Sequence, residues 1–70
     1  MSKVEKSVVE QIIVQRQASG LSQQEVSRRV GWKCNNQYFI ERGNTRITID
    51  LLNKYNELFE WEFDVKIVKN

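Results

Sequence analysis

Apolar residues recur at helical spacing along most of the chain, and the first such stretch covers residues 3–19. Val4, Val8 and Ile12 follow one another at intervals of four residues, with charged and amide side chains between them. This spacing places apolar side chains on one face of a helix. Gly20 follows at a position typical of a helix C-terminal cap. The pattern predicts a first helix over residues 3–19 that contributes its apolar face to the core.

The next segment carries both a start and a stop signal for a short helix. Ser22 followed three residues later by Glu25 is the capping-box pattern, in which each side chain pairs with a backbone N–H at the helix start. Val26 and Val30 then share one face, and Gly31 stands where a left-handed residue is favoured. A second helix is therefore predicted from the Ser22 cap to Val30.

A further short helix is predicted directly after this turn. It begins around Lys33 and closes with Ile40 before Gly43. Two short helices joined by a glycine-containing turn form the helix-turn-helix pattern, whose second helix can lie in the major groove of DNA. Residues 22–43 are therefore the stretch most directly tied to function.

A fourth helix is predicted from Ile49 to about Leu58, because Thr48 is a favourable N-cap residue and Asp50 suits the first turn. Apolar residues again recur at helical spacing. The predicted buried stripe consists of Leu51, Leu52, Tyr55, Leu58 and Phe59.

The period then changes from helical to alternating. The apolar residues that alternate with charged ones are Phe59, Trp61, Phe63, Val65 and Ile67. Such alternation predicts a strand, and the chain offers no second strand to pair with it. We expect it to pair with the same strand of a second copy, as an antiparallel ribbon about a two-fold axis. In the alternative, the segment packs across its own helices or continues the fourth helix.

Charge is unevenly distributed along the 70 residues. The net charge is +2, but residues 1–56 hold nine Lys or Arg against five Asp or Glu, which leaves +4, whereas residues 57–70 carry −2. The helical part is thus the side expected to face a polyanion. An ordinary solvated surface is the alternative explanation of the same charge.

Composition argues against several other classes of protein. Cys34 is the only cysteine and there is no histidine, so we expect neither an intramolecular disulfide nor a structural zinc site. No signal peptide or membrane-spanning run is recognisable, which favours a cytoplasmic protein. Without histidine, a paired-carboxylate constellation or a phosphate-binding glycine loop, we expect no enzyme and no cofactor.

Amide side chains cluster at the start of the predicted third helix. Asn35, Asn36 and Gln37 are consecutive. Asparagine and glutamine are the side chains that read adenine edges through two hydrogen bonds, and the first residues of a recognition helix are those that reach bases. Alternatively, Asn35 or Asn36 merely caps the helix.

Residues 12–59 resemble the phage repressor/Cro-type, or XRE, family of helix-turn-helix proteins. The matching stretches are Gly20-Leu21-Ser22-Gln23-Gln24-Glu25-Val26, Val30-Gly31, Ile40-Glu41-Arg42-Gly43 and Thr48-Ile49-Asp50-Leu51-Leu52. The resemblance implies a mainly α, compact four-to-five-helix domain of the lambda-repressor-like type that binds double-stranded DNA as a dimer. Residues 1–58 would form this domain. The strand predicted over residues 59–70, which would pair in the dimer, is not general to the family, although some members have it.

The resemblance also implies which residues meet DNA. Those expected to contact bases are Cys34, Asn35, Asn36 and Phe39. Those expected to contact phosphates are Ser22, Gln23, Lys33, Arg42, Asn44 and Arg46. Arg28 and Arg29 lie on the polar flank of the second helix, where they pair with acidic groups or touch phosphates.

Gln37 departs from the family pattern, which has an aliphatic residue there to hold the recognition helix to the core. An unpaired glutamine in that position would carry a burial penalty of ~1–3 kcal/mol. Tyr38 or Phe39 could turn inward instead, so the sequence leaves the facing of these two residues open. Phe39 facing inward would replace the missing anchor, whereas Phe39 facing outward would be able to contact a thymine methyl group.

Three functions remain open at this point. The first is a sequence-specific transcriptional regulator, a repressor that binds a palindromic operator as a homodimer. The second is an antitoxin that also binds a toxin protein and regulates its own operon. The third is a protein-interaction module on the same fold without DNA binding.

Overall fold

A computed structural model describes residues 3–64 of the chain, and these residues are mainly helical. The helices are α1 (Lys3–Ala18), α2 (Gln23–Val30), α3 (Asn36–Glu41) and α4 (Ile49–Phe59). The described residues contain no β-strand. None of these helices has the length and apolar character needed to cross a bilayer.

The ends of α2 follow the local signals in its sequence. Ser22 Oγ accepts a hydrogen bond from the Glu25 N–H at 3.0 Å, and the Glu25 carboxylate accepts from the Ser22 N–H at 3.1 Å. These bonds, together with the positive charges of Arg28 and Arg29, hold the pKa of Glu25 below its ordinary value. Gly31 closes the helix with a φ of 94°, a conformation that favours glycine. The predicted α2 is thus confirmed.

The third helix begins later than predicted, at Asn36 rather than near Lys33. Asn35 is its N-cap, and its Oδ1 accepts a hydrogen bond from the Tyr38 N–H at 3.4 Å. The same oxygen accepts from Ser27 Oγ at 2.9 Å, which ties the start of α3 to α2. Lys33 and Cys34 therefore lie in the turn and not on the helix.

The four helices share one core with a residue from beyond α4. Its buried members are Val8, Ile12, Val26, Val30, Ile40, Leu52, Tyr55 and Trp61. Thr48 caps α4 as predicted, with its Oγ1 accepting from the Leu51 N–H at 3.2 Å. Leu58 is 46% exposed, so its predicted burial is wrong. It is absent from the described residues that form the core or pack against it.

The segment after α4 turns back onto the domain instead of forming the expected strand. Phe59 is the last residue of α4, and Glu60 ends the helix with a φ of 59°. Residues 60–64 have no strand structure, whereas Val65 and Ile67 lie outside the described residues. Trp61 is buried in the core of its own chain, and its Nε1 donates to Ser19 Oγ at 3.0 Å. This stretch packs across its own helices, which was the alternative to the ribbon.

Two glutamine side chains of α1 occupy the place of a partner strand. Gln15 donates to the Glu62 carbonyl at 2.8 Å and accepts from the Glu62 N–H at 2.9 Å. Gln11 pairs with Asp64 in the same way, at 2.9 and 2.8 Å. A rise of about 6 Å between residues i and i+4 of a helix nearly matches the 6–7 Å between alternate residues of an extended chain. The two side-chain amides therefore pair with the backbone N–H and C=O groups along one edge of the segment.

The substitution Trp61→Ala tests whether this segment belongs to the core of a single chain. Removing a buried tryptophan is expected to lower the free energy of unfolding by about 3–5 kcal/mol. Urea titrations followed by circular dichroism at low and high protein concentration measure it. The loss of unfolding free energy should be the same at both protein concentrations. The substitution Trp61→Phe should lower the free energy of unfolding by less than Trp61→Ala does. A loss seen only where a dimer is populated would assign Trp61 to an intermolecular interface.

Candidate nucleic-acid interface

The orientation of α3 is set by which side chains point into the core. Gln37 and Ile40 are buried, whereas Tyr38 is 36% and Phe39 is 46% exposed. The residue that turns inward is therefore neither Tyr38 nor Phe39. Gln37 itself occupies the inward anchor position, and Phe39 faces outward.

Gln37 is tolerated in the core because its polar groups are paired. Its side-chain oxygen accepts a hydrogen bond from the Tyr55 hydroxyl, and its Nε2 donates to Glu41 Oε2 at 2.8 Å. The backbone N–H of Gln37 donates to Ser27 Oγ at 3.0 Å. A buried amide with partners for both its donor and its acceptor avoids the desolvation penalty that the sequence suggested.

Glu41 at the end of α3 receives hydrogen bonds from two further helices. Arg16 of α1 forms two bonds with the carboxylate, Nε to Oε2 at 2.6 Å and Nη2 to Oε1 at 2.9 Å. Gln23 of α2 donates to Oε1 at 3.1 Å. The Arg16 and Glu41 side chains are only 14% and 6% exposed. We call Arg16, Gln23, Gln37, Glu41 and Tyr55 the polar network; it contacts all four helices.

The network also determines the protonation of its members. Burial alone would raise the pKa of Glu41, but hydrogen bonds from Arg16, Gln37 and Gln23, with the charge of Arg16, outweigh it and lower the pKa. Burial, reinforced by the negative charge of Glu41, raises the pKa of Tyr55. The carboxylate thus stays ionised and the phenol stays protonated, as their hydrogen bonds require.

The two asparagines predicted to contact bases differ in availability. Asn35 Oδ1 already accepts from Ser27 Oγ and the Tyr38 N–H, so its capping role is confirmed. Asn36 Oδ1 accepts only from the Cys34 thiol, at 3.0 Å, and a thiol is a weak donor. The half-buried Asn36 therefore has the amide that is easier to free for a base edge.

The residues predicted to contact phosphates fall into two groups. Ser22, Lys33, Asn44 and Arg46 are exposed, as is Arg42. Gln23 is half-buried and its amide is committed to Glu41, so it serves the polar network.

Positive charge around α3 is exposed, while the negative charge is engaged. The exposed basic residues of this stretch are Arg28, Arg29, Lys33, Arg42 and Arg46. No carboxylate of the described residues lies in ion-pair contact with any of them. Over residues 22–46 the only acidic residues are Glu25 and Glu41, which form the capping box and the polar network. The stretch of residues 22–46, which contains α3, is thus net positive.

One basic site forms a shallow depression at the turn between α2 and α3. Arg28, Lys33, Cys34 and Asn35 are among the residues that line it. Among the described residues, no group of three or more His, Cys, Asp or Glu is placed to hold a metal ion. The chemistry offered here is that of positive charge and amide groups.

Three of the residues predicted to form the dimer interface lie among the described residues, and all three pack against the core of their own chain. Trp61 is buried, and Phe59 and Phe63 are half-buried against the core. Phe63 differs in that its backbone N–H and C=O have no hydrogen bond to another described residue. In an extended chain, the backbone N–H and C=O groups of alternate residues point to opposite edges. Since those of Glu62 and Asp64 point toward α1, the N–H and C=O of Phe63 point away from it.

The substitution Glu41→Gln tests the polar network through pH. It leaves the Arg16 charge buried without its partner, so the free energy of unfolding at pH 7 should fall by roughly 3 kcal/mol. A lowered pKa in the folded state stabilises above the unfolded value of 4.5, and this contribution is lost as the pH falls through the folded pKa. The variant should therefore lose less further stability than the wild type under acid.

Urea unfolding measured from neutral to acidic pH gives this comparison. Glu57→Gln is the matched control, since Glu57 is an exposed glutamate of α4. It should behave as the wild type throughout. Equal stability of Glu41→Gln and wild type at pH 7 would contradict the role given to the network.

Comparison with known proteins finds no counterpart for this chain. No protein-family model, no curated protein and no solved structure matches it.

Proposed function

We propose that this chain is a cytoplasmic, sequence-specific DNA-binding regulator, a repressor of the phage repressor/Cro type, with α2 and α3 as its helix-turn-helix. The observation that carries the proposal is the fixed orientation of α3. Gln37 and Glu41 tie one side of this helix to the domain, and Asn36 and Phe39 remain on the side available to a ligand.

Charge complementarity favours duplex DNA as that ligand. The exposed Lys33 and Arg42 flank α3 in sequence, and Arg46 follows in the next loop. No carboxylate of the described residues forms an ion pair with any of the three. Phosphate contacts from such residues position a protein on the duplex, and base contacts then specify the sequence. In this proposal the basic residues beside α3 supply the phosphate contacts, and the outward side of α3 supplies the base contacts.

The proposed regulator acts as a homodimer on a palindromic site. The open backbone edge at Phe63 supports pairing of this segment with a second copy, continued by Val65 and Ile67 outside the described residues. Trp61 is dropped from the proposed interface because its side chain is buried in its own chain. Two copies would place their α3 helices about 34 Å apart, one turn of B-DNA.

Selection of bound sequences from random duplexes, followed by anisotropy titrations at several salt concentrations, tests this function. The logarithm of the binding constant should fall linearly with the logarithm of salt concentration, with a slope of about −0.9 for each neutralised phosphate. Absence of a preferred site, or of a salt dependence, would overturn the proposal and favour a protein-interaction module.

The substitution Lys33→Gln is predicted to weaken binding to the selected site and to unrelated duplexes by similar factors. Its loss should reduce the salt slope by about one for each bound copy, because a phosphate contact carries no sequence information. Lys54→Gln is the control, since Lys54 is an exposed lysine of α4 near the acidic end of the chain. A slope unchanged by Lys33→Gln, or reduced equally by Lys54→Gln, would contradict the assignment.

A further inference from the structure

The outward side of α3 combines an amide with an exposed pair of aromatic rings. Tyr38 and Phe39 meet edge to face, with ring centroids 5.3 Å apart and planes at 80°. Phe39 is 46% exposed and lies in sequence between the exposed basic residues Lys33 and Arg42. Burying this ring against an apolar group of a ligand would remove apolar surface from water and so favour the complex.

The position of Phe39 is set by groups on both sides of it. Its carbonyl accepts a hydrogen bond from the Asn44 N–H at 3.0 Å, and Ile40 beside it is buried in the core. Tyr38 is in turn held by Arg42, whose Nη1 donates to the phenol oxygen at 2.6 Å and whose Cζ lies 5.3 Å from the ring centroid. The Phe39 ring is therefore presented in place before a ligand arrives.

The major groove offers one apolar group among its base edges, the C5-methyl group of thymine. We propose that Phe39 packs on the C5-methyl group of a thymine in the bound site and makes it a specificity-determining position. This inference rests on the proposed function. It assigns to an aromatic ring a part of the readout that the amide side chains cannot supply.

Asn36 supplies the hydrogen-bonding part of the same readout. It lies three residues before Phe39, so both side chains are neighbours on one side of the helix, about 5–6 Å apart at Cβ. Its Nδ2 has no hydrogen bond to another described residue, and its oxygen accepts only from a thiol. An adenine read through N6 and N7 would thus stand within about two base pairs of the thymine, given a rise of about 3.4 Å per base pair.

Deoxyuridine in place of thymine tests the inference, because it removes the C5-methyl group and leaves every hydrogen-bonding group in place. After selection of the bound site, each thymine is replaced in turn. One replacement should weaken wild-type binding about three- to fivefold, the effect of exposing roughly one buried methyl group. Phe39→Ala should bind the thymine and deoxyuridine duplexes equally.

Leu58→Ala is the matched control, because Leu58 is as exposed as Phe39 but lies on α4. It should retain the wild-type preference for thymine. In a parallel arm, 7-deazaadenine removes the N7 acceptor. One such replacement near the sensitive thymine should weaken wild-type binding but leave Asn36→Ala unaffected.

The outcomes separate this inference from the function on which it depends. A selected site whose thymines are all replaceable by deoxyuridine without loss would overturn the methyl contact and leave the DNA-binding proposal standing. A preference for thymine that survives Phe39→Ala would likewise overturn the assignment to Phe39. Failure to select any site would overturn the function itself. The deoxyuridine measurement uses the wild-type protein, so it does not depend on the folding of a variant.

Discussion

Burial of the Glu41 carboxylate is the interaction on which the arrangement of the helices depends. A buried charge is stable only when it is paired and its remaining hydrogen bonds are satisfied. Here Arg16 supplies the opposite charge, and Gln23 and Gln37 supply further donors from α2 and α3. Tyr55 of α4 completes the set through Gln37. Rotating α3 would break several of these bonds at once, so the same contacts that stabilise the core also select its outward face.

The backbone of the C-terminal segment is paired with side chains of α1 and not with another strand. Glutamine amides of α1 pair with the backbone of Glu62 and Asp64, and Trp61 fills the core. The backbone groups of Glu62 and Asp64 are therefore paired within a single chain, whereas the N–H and C=O of Phe63 have no hydrogen bond to another described residue. The segment thus stabilises the domain and remains compatible with the proposed homodimer.

Local signals in the sequence predicted local structure well. Ser22, Gly31 and Thr48 set helix ends because capping depends on groups within a few residues. The alternation of apolar and charged residues after Phe59 predicted a strand that residues 60–64 do not form. Alternation indicates which side chains share a face, but it does not indicate which groups pair with the backbone. Gln15 is indistinguishable in sequence from an ordinary polar residue of α1, so its pairing with Glu62 had no signal.

The candidate site was predictable in composition but not in orientation. Exposed basic residues and amides near α3 follow directly from the sequence. The facing of α3 does not, because the partner that makes Gln37 acceptable in the core is Tyr55, 18 residues away. A polar residue at an anchor position indicates that a partner exists, but only the tertiary structure identifies it.

Hydrogen exchange of the Gln37 side-chain amide, followed by NMR in isotope-labelled protein, tests the central claim most directly. If Gln37 is buried and donates to Glu41, its Nε2 protons should exchange slowly, at a rate set by opening of the domain. The exposed glutamines Gln17 and Gln24 should exchange freely. Exchange of Gln37 as fast as that of Gln17 would contradict the network and the orientation of α3 that depends on it.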